Sequence, residues 1–196
     1  MEGTIFQKMN RRPIEVEEAV QRVKEYGEKL KRKIEWVPIH KAFGRILGDH
    51  VKTNDFIPHF RRSGYDGYAI QSSDVKEASL EHPALLKVVD YIPCGNTPNV
   101  ILQTKEAARI MTGAMVPNEA DSVIMLEAVK EEKREGATYI SVRKPVEANR
   151  NVTPIGFEKR EGETVLHKGM KINAGEMAVL ASLGYERVPV FRKPKA

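Results

Sequence analysis

Short β-rich runs separated by glycine and proline turns fill residues 51–142, and this spacing limits the fold more than any other feature of the sequence. The clearest run extends from Leu85 to Tyr91 and is bounded by Pro83 and Pro93. Strands this short, at turn-rich spacing, are typical of a small barrel or sandwich and not of a parallel α/β sheet. We therefore expect residues 51–142 to form one β-rich unit.

A helical pattern precedes this unit. Val16, Val20 and Val23 recur at helical spacing within residues 14–33, with glutamates early and lysines late. Apolar residues three to four positions apart form one face of a helix, and this order of charges suits the helix dipole. We predict an amphipathic helix that packs against a core, followed by a strand at 34–39.

A second structured pattern follows the β-rich unit. Residues 162–172 predict a hairpin, and Asn173 with Glu176 three positions later forms a capping box that starts a helix. We expect Gly184 to end this helix, because glycine readily adopts the left-handed conformation that follows many helices. Alternation over residues 187–191 predicts a final strand.

Since structured segments lie both before and after the β-rich unit, we expect that unit to be inserted into another domain. The predicted fold class is mixed α+β, mainly β. We expect an elongated, two-part structure in which a small β-barrel-like domain, residues 51–142, is inserted into a smaller α/β hairpin-and-helix domain. The smaller domain is predicted to be discontinuous and to comprise residues 1–50 and 143–196.

Composition narrows the class of protein. The chain has 32 basic and 27 acidic residues, a net charge of +5, and the two signs are interleaved. This mild excess is typical of a solvated surface, and no nucleic-acid-binding motif accompanies it. No apolar run is long enough to cross a bilayer, and the single cysteine, Cys94, suits a reducing compartment. We expect a cytoplasmic protein without nucleic-acid or membrane partners.

The turn at residues 59–70 carries the first candidate site residue. Asp66 lies between Tyr65 and Gly67, and Gly64 is a second glycine that permits positive φ in a tight turn. Such a turn can hold a carboxylate at a fixed position near the two arginines that precede it. The alternative is a β-turn whose aromatic side chains anchor it to the core, because Asp-Gly is first of all a turn signal.

A second glycine turn, at residues 112–117, carries the second candidate. Glycine and proline there predict a bend that exposes the Thr112 hydroxyl and backbone N–H groups. Asp121 and Glu127 follow as further acidic candidates. In the alternative interpretation, Asp121 only caps a turn and Glu127 lies on the surface of a strand.

Four segments, in the same order, resemble one family, the molybdopterin molybdenumtransferases of the MoeA/gephyrin type. The first resembles the family's proline, serine and Met-Asp-Gly-Tyr-Ala element. The second resembles its Arg-Ile-Met-Thr-Gly-Ala element with the acidic residues that follow. The third resembles its Asn-Val-Arg loop with later glycines, and the fourth resembles the stretch that leads into the family's next domain. These segments span residues 58–69, 109–127, 151–169 and 181–194.

The chain departs from the family pattern at several positions. Tyr65 replaces the family's methionine, and Thr153 stands where arginine is usual. Gly156-Phe157-Glu158 stands where the family has Gly-Glu-Asp. Family members also continue into a molybdopterin-binding α/β domain and a small β-barrel. We therefore interpret the chain as an N-terminal region; the alternative is a naturally truncated, catalytically inactive paralogue that acts as a binding or assembly module.

The resemblance implies an activity: insertion of molybdenum from molybdate into the dithiolene of adenylylated molybdopterin, with release of AMP. Mg²⁺ is the implied cofactor, because it prefers carboxylates together with substrate phosphates. In this interpretation Asp66 and Thr112 are the catalytic residues. The metal-ligand candidates are Asp66, Asp121 and Glu127, and the substrate-binding candidates are Ser63, Gly113, Ala114 and Arg62.

The resemblance also implies partners. In this family the complete site is shared between the molybdopterin-binding domain of one protomer and this region of its dimer partner. We therefore expect a homodimer, or a partner that supplies the molybdopterin-binding domain, and half of an active site on this chain. The expected ligand is a small anionic pterin nucleotide.

Overall fold

The computed structural model describes residues 13–29 and 32–193. In this part of the chain the fold is mainly β with two α-helices, as predicted. The helices are α1 (Val16–Lys29) and α2 (Ala174–Ser182). The strands are β1 (Ile34–Pro38), β2 (Val51–Lys52), β3 (Arg62–Ser63), β4 (Gly67–Ile70), β5 (Ala84–Ile92), β6 (Glu106–Ile110), β7 (Ser122–Met125), β8 (Val129–Arg134), β9 (Ala137–Val142), β10 (Val152–Thr153), β11 (Thr164–Leu166) and β12 (Arg187–Phe191).

The chain forms two compact units. The first comprises the described residues up to His50 and those from His167 onward, and the second comprises Val51–Leu166. Residues 143–166 therefore group with the second unit, whereas the sequence analysis placed them in the first. The reason is strand pairing, because β10 pairs with β3 and β11 pairs with β2. The hairpin predicted over 162–172 is wrong for the same reason, since β11 pairs with a distant strand.

The first unit is built on β1 and β12, which pair antiparallel from Ile34 opposite Phe191 to Pro38 opposite Arg187. Helix α2 begins as its capping pattern predicts. The backbone N–H of Asn173 donates to Oε2 of Glu176 at 2.9 Å. Gly184 follows the helix with a φ of 74°, a left-handed conformation that costs glycine little. Local sequence signals therefore set both ends of α2.

Helix α1 forms as predicted but does not pack as predicted. None of its residues is buried, and the side chains of Val16 and Val23 are 71% and 73% exposed. The expectation that this helix packs against a core is therefore wrong for the described residues, and its apolar face is uncovered. Among the described helices, none has the length and apolar composition needed to cross a bilayer.

The second unit contains a six-stranded mixed sheet in the order β7-β4-β6-β5-β9-β8. Strands β5 and β6 run parallel, and the other neighbouring pairs are antiparallel. Because β7 and β8 remain edge strands, the sheet does not close on itself. The predicted β-barrel-like closure is therefore not found in the described residues.

Although it is open, the sheet is strongly curled. The Tyr68 hydroxyl on β4 donates to the Glu131 carboxylate on β8, yet three strands lie between β4 and β8. A flat sheet with strands about 4.8 Å apart would separate these two by roughly 19 Å, which the two side chains cannot span. The curl encloses one apolar cluster, and the opposite face of the sheet packs a second. The first cluster includes Tyr68, Ile70, Leu86 and Ile140, and the second includes Ala69, Ile92, Ala108 and Ile110.

Candidate functional site at one edge of the sheet

One edge of the six-stranded sheet collects the segments that carry the candidate residues. Strand pairing aligns Ile92 of β5, Ile110 of β6, Gly67 of β4 and Met125 of β7 in one row. Strands β5, β6 and β7 end at this row and β4 begins there. Asp66 therefore lies beside the residues that follow β6 and β7, and the two predicted turns meet.

Asp66 and Thr112 form the central pair of this edge. Oδ1 of Asp66 accepts hydrogen bonds from the backbone N–H and from the hydroxyl of Thr112, each at 2.7 Å. Both residues are exposed, and within the described parts of the chain no donor bonds to Oδ2 of Asp66. The pair thus presents one free carboxylate oxygen and one hydroxyl oxygen to solvent.

The turn that carries Asp66 depends on the absence of a side chain at Gly67. A Cβ atom added there would lie 2.0 Å from the carbonyl oxygen of Ile124 on β7, so glycine permits the close approach of β4 and β7. Positive φ was the role expected for Gly64 and Gly67, and neither residue has it. The left-handed position is Gly113, with a φ of 81°, directly after Thr112.

Electrostatics keep Asp66 charged. The backbone and side-chain hydrogen bonds from Thr112 lower the pKa of Asp66 below its ordinary value, and the charge of Arg109 adds to this effect. Hydrogen bonds donated to a carboxylate favour its ionised form. Asp66 is therefore an anion that accepts hydrogen bonds or binds a cation, and it has no proton to donate to an oxyanion.

Sequence reasoning missed a network behind this pair. Arg109 donates to the carbonyl oxygen of Gly67 at 3.2 Å, and its guanidinium carbon lies 5.4 Å from the centroid of the Tyr68 ring. Burial and the hydrogen bond to Glu131 raise the pKa of Tyr68 above the ordinary value of a phenol. The available signal was an arginine inside the apolar run 107–110, because a charge in a buried strand needs partners.

The predicted substrate-binding groups of the two turns are engaged within the protein. Ser63 is buried, and its hydroxyl donates to the carbonyl oxygen of Tyr65 at 2.6 Å. The N–H of Gly113 donates to the carbonyl of Ser63, and the N–H of Ala114 donates to the carbonyl of Met111. These groups shape the turns, and the backbone donors expected for an anion are already used.

The arginines before Asp66 are engaged as well. Arg62 forms a 2.5 Å ion pair with Glu158, so its charge is already balanced. Arg61 donates to the carbonyl oxygens of Ala120 and Pro117 at 2.9 and 2.7 Å. Arg61 therefore holds the loop before β7 in place, and Arg62 does not offer an unpaired charge to a substrate.

The three predicted metal ligands do not come together. Asp121 accepts hydrogen bonds from the N–H and the hydroxyl of Ser72 at 2.7 and 2.6 Å, which matches its alternative role as a cap. Glu127 is exposed and follows Leu126, whose N–H donates to the carbonyl of Asp66 at 3.2 Å. In the region that the structure describes, no three acidic, histidine or cysteine side chains are grouped to hold a metal ion.

Cys94 is a further residue of this edge. It follows β5, its side chain is exposed, and its Sγ atom lies 3.4 Å from the position that a Cβ atom would take on Gly113. The thiol therefore lies in contact distance of the residue directly after Thr112. The edge thus combines a carboxylate, a hydroxyl and a thiol.

Comparison with known proteins identifies related sequences over almost the whole chain. A model of the MoeA N-terminal region (domain I and II) matches residues 14–184. The molybdopterin molybdenumtransferase of Bacillus subtilis (strain 168) is 36% identical over 184 residues, and that of Staphylococcus epidermidis (strain ATCC 12228) is 38% identical over 184 residues. Each match covers 94% of this chain and 42% of the relative.

A solved structure agrees with these relatives. The crystal structure of a molybdopterin biosynthesis MoeA protein from Pyrococcus horikoshii superimposes with a TM-score of 0.77 at 35% identity, and covers 93% of this chain and 45% of that one. The chain therefore spans less than half the length of these relatives. The resemblance found in the sequence is confirmed, and the chain belongs to the MoeA N-terminal region family.

Proposed function

We propose that this chain contributes the Asp66–Thr112 pair to a site that inserts molybdenum from molybdate into adenylylated molybdopterin. Its relatives are molybdopterin molybdenumtransferases, which supports a role in molybdenum cofactor biosynthesis. One observation carries the proposal. A charged carboxylate and an exposed hydroxyl, 46 positions apart in the sequence, meet at 2.7 Å on one sheet edge.

The role proposed for Asp66 follows from its charge. Molybdate and nucleotide phosphates are anions, and a carboxylate repels them unless a cation lies between. Mg²⁺ takes one or two carboxylates and completes its shell with substrate phosphates and water. The free Oδ2 of Asp66 fits this mode, whereas a site built from Asp66, Asp121 and Glu127 does not. Asp66 is therefore the one Mg²⁺ ligand that we assign to this chain.

Thr112 is proposed to hold the carboxylate in one orientation. Its N–H and hydroxyl both bind Oδ1, so the Asp66 side chain cannot rotate without losing both bonds, and Oδ2 stays directed outward. While the Thr112 hydroxyl donates a hydrogen bond to Asp66, its oxygen keeps its lone pairs. The oxygen can therefore accept a hydrogen bond from a substrate N–H or O–H group. Mg²⁺ bound at Oδ2 would neutralise phosphate charge near the reacting atoms.

We further propose that the molybdopterin-binding surface comes from a partner, either a second copy of a longer chain or a separate protein. The chain spans 42% of its curated relatives. The uncovered face of α1 supports a protein contact, because Val16, Val23 and Tyr26 are 71%, 73% and 69% exposed. Apolar side chains grouped on one helix face are typical of an interaction surface.

The test is molybdenum insertion by the purified chain, alone and mixed with a separately produced molybdopterin-binding domain of a relative, with AMP release as the measurement. We expect no turnover by the chain alone. In the mixture, Asp66→Asn should lower turnover by roughly 100-fold, the scale of losing a group that stabilises charge in a transition state. Thr112→Val should lower it by about tenfold, because Thr112 orients the Asp66 carboxylate and does not itself bind the metal.

Glu161→Gln is the matched control. It makes the same change of a carboxylate to an amide on an exposed residue of the same unit, away from the sheet edge. Equal turnover by Asp66→Asn and Glu161→Gln would refute the role assigned to Asp66. No turnover by the unaltered mixture would instead favour the inactive paralogue that acts as a binding or assembly module.

A further inference from the structure

The first unit contains a basic cavity that the proposed function does not use. Its volume is about 420 Å³, and Ile46 and Phe191 contribute its apolar surface. Two glycines, Gly27 and Gly44, leave room beside these side chains. The cationic residues that line the cavity are Arg32, Arg45, Arg192 and Lys193.

The ring of Phe191 holds two cations beside this cavity. The guanidinium carbon of Arg32 lies 5.5 Å from the ring centroid, and Nζ of Lys168 lies 5.7 Å from it. Both distances are within the range of cation–π attraction. Since the ring already holds two cations, an aromatic ligand would have to displace one of them, whereas a small anion would not.

Glu35 is the carboxylate that balances part of this charge. Its Oε1 lies 2.5 Å from Nη2 of Arg45, and its Oε2 lies 3.6 Å from Nε of Arg192. Arg45 also donates to the carbonyl oxygen of Phe191 at 2.9 Å. Glu35 and this carbonyl therefore fix Arg45 in the wall of the cavity.

The cations Arg32, Lys168 and Lys193 differ from Arg45 and Arg192 in their partners. Among residues 13–29 and 32–193, no carboxylate lies within 4.0 Å of the charged groups of Arg32, Lys168 or Lys193. Four cationic side chains thus line the cavity, and Lys168 lies beside the Phe191 ring that forms part of its wall. Glu35 is the carboxylate paired with two of the lining cations, Arg45 and Arg192. Like charges held this close repel one another, and a bound anion relieves that repulsion.

We propose that this cavity binds a small tetrahedral oxyanion, either a phosphate group or molybdate. Guanidinium groups bind such ions through two parallel N–H···O bonds, and a lysine ammonium adds a point charge. A compact dianion can contact several of these side chains at once, because they converge on one cavity. The cavity lies in the first unit and Asp66 lies in the second, so this inference does not rest on the proposed function.

The test is isothermal titration calorimetry of the full chain at constant ionic strength with three separate probes: inorganic phosphate, AMP and sodium molybdate. We expect saturable binding, and the tightest probe identifies the source as free phosphate, a phosphate monoester or molybdate. The double variant Arg32→Gln, Lys193→Gln should weaken that binding by about tenfold or more, because it removes two of the four cations that line the cavity.

Lys130→Gln, Lys133→Gln is the matched control. It removes the same charge from two exposed positions on β8 and should leave the affinity unchanged. Absence of saturable binding for all three probes would overturn the inference. An equal loss of affinity in both double variants would also overturn it, because net charge and not the cavity would then explain the binding. Asp66→Asn should bind the probes like the unaltered chain, which separates this test from the turnover assay.

Discussion

Replacing Gly67 with alanine should destabilise the second unit by forcing β4 and β7 apart. The added carbon would lie 2.0 Å from the carbonyl oxygen of Ile124, and ordinary contact begins at 3.4 Å, so the contact is 1.4 Å too short (3.4 minus 2.0). The obstructing atom belongs to the backbone and cannot rotate away. Overpacking a buried site costs about 1–3 kcal/mol when side chains adjust, and here a strand must move, so we expect about 3 kcal/mol.

Urea denaturation followed by circular dichroism measures this change in the free energy of unfolding. A loss of about 3 kcal/mol corresponds to a fall in Tm of roughly 6–12 °C for a chain of this size. Gly175→Ala is the control, because a Cβ atom there meets nothing within 4 Å and alanine favours a helix. If Gly67→Ala is as stable as Gly175→Ala to within about 0.5 kcal/mol, β4 and β7 do not approach as closely as described.

Three further predictions concern the network around the site. Tyr68→Phe should lower the free energy of unfolding by about 1.5 kcal/mol, because it removes a hydrogen bond to the charged Glu131. Equal denaturation midpoints for this variant and for Tyr26→Phe, a change at an exposed tyrosine, would contradict this prediction. Since the folded-state pKa of Tyr68 is raised above 10.0, stability should fall as the pH rises above about 10, and Tyr68→Phe should remove that part of the fall. Thr112→Val should raise the pKa of Asp66 toward 3.8 by removing one of two donors, and an unchanged carboxyl titration by NMR would exclude the hydroxyl as a donor. Because the pKa of Asp66 is lower in the folded state, this residue stabilises the fold at pH values above its ordinary pKa, and that stability is lost as the pH falls through the folded-state pKa. Thr112→Val should therefore weaken the dependence of stability on acidic pH. Arg61→Met should lower the free energy of unfolding, measured by urea denaturation, by about 2 kcal/mol, because the carbonyls of Pro117 and Ala120 lose their donor. If this loss is no greater than that caused by Arg143→Met at an exposed position, Arg61 does not hold the loop.

Local patterns predicted the elements of this fold better than their pairing. The run from Leu85 to Tyr91 lies within β5, and the start and end of α2 follow capping signals within a few residues. These elements depend on neighbours that are close in sequence. The pairing of β11 with β2 and the parallel pairing of β5 with β6 depend on tertiary packing, and no local pattern specifies them. For this reason the second unit extends to Leu166 instead of ending at residue 142, and the predicted barrel-like closure was not found in the described residues.

The candidate site was likewise predicted in its local elements but not in its tertiary contacts. Turn chemistry and the family resemblance singled out Asp66 and Thr112, but their contact depends on the register of β4 against β6. The hydroxyl of Ser63 and the N–H of Gly113 were expected to face a substrate, and each has a nearby carbonyl partner. Arg109 was missed because its contacts come from β4, a strand about 40 positions earlier in the sequence. Which polar groups remain free is a tertiary property, and the chemical roles of Asp66 and Thr112 stay predictions.

The position of Cys94 allows a fluorescent label to be attached next to the candidate site. It is the single cysteine of the sequence, and its exposed thiol lies next to Gly113. A fluorophore attached to this thiol by a maleimide would lie at the rim of the carboxylate–hydroxyl pair, and no cysteine would need to be added or removed. Quenching or a spectral shift would then report the binding of a ligand or protein, which allows occupancy to be measured independently of turnover.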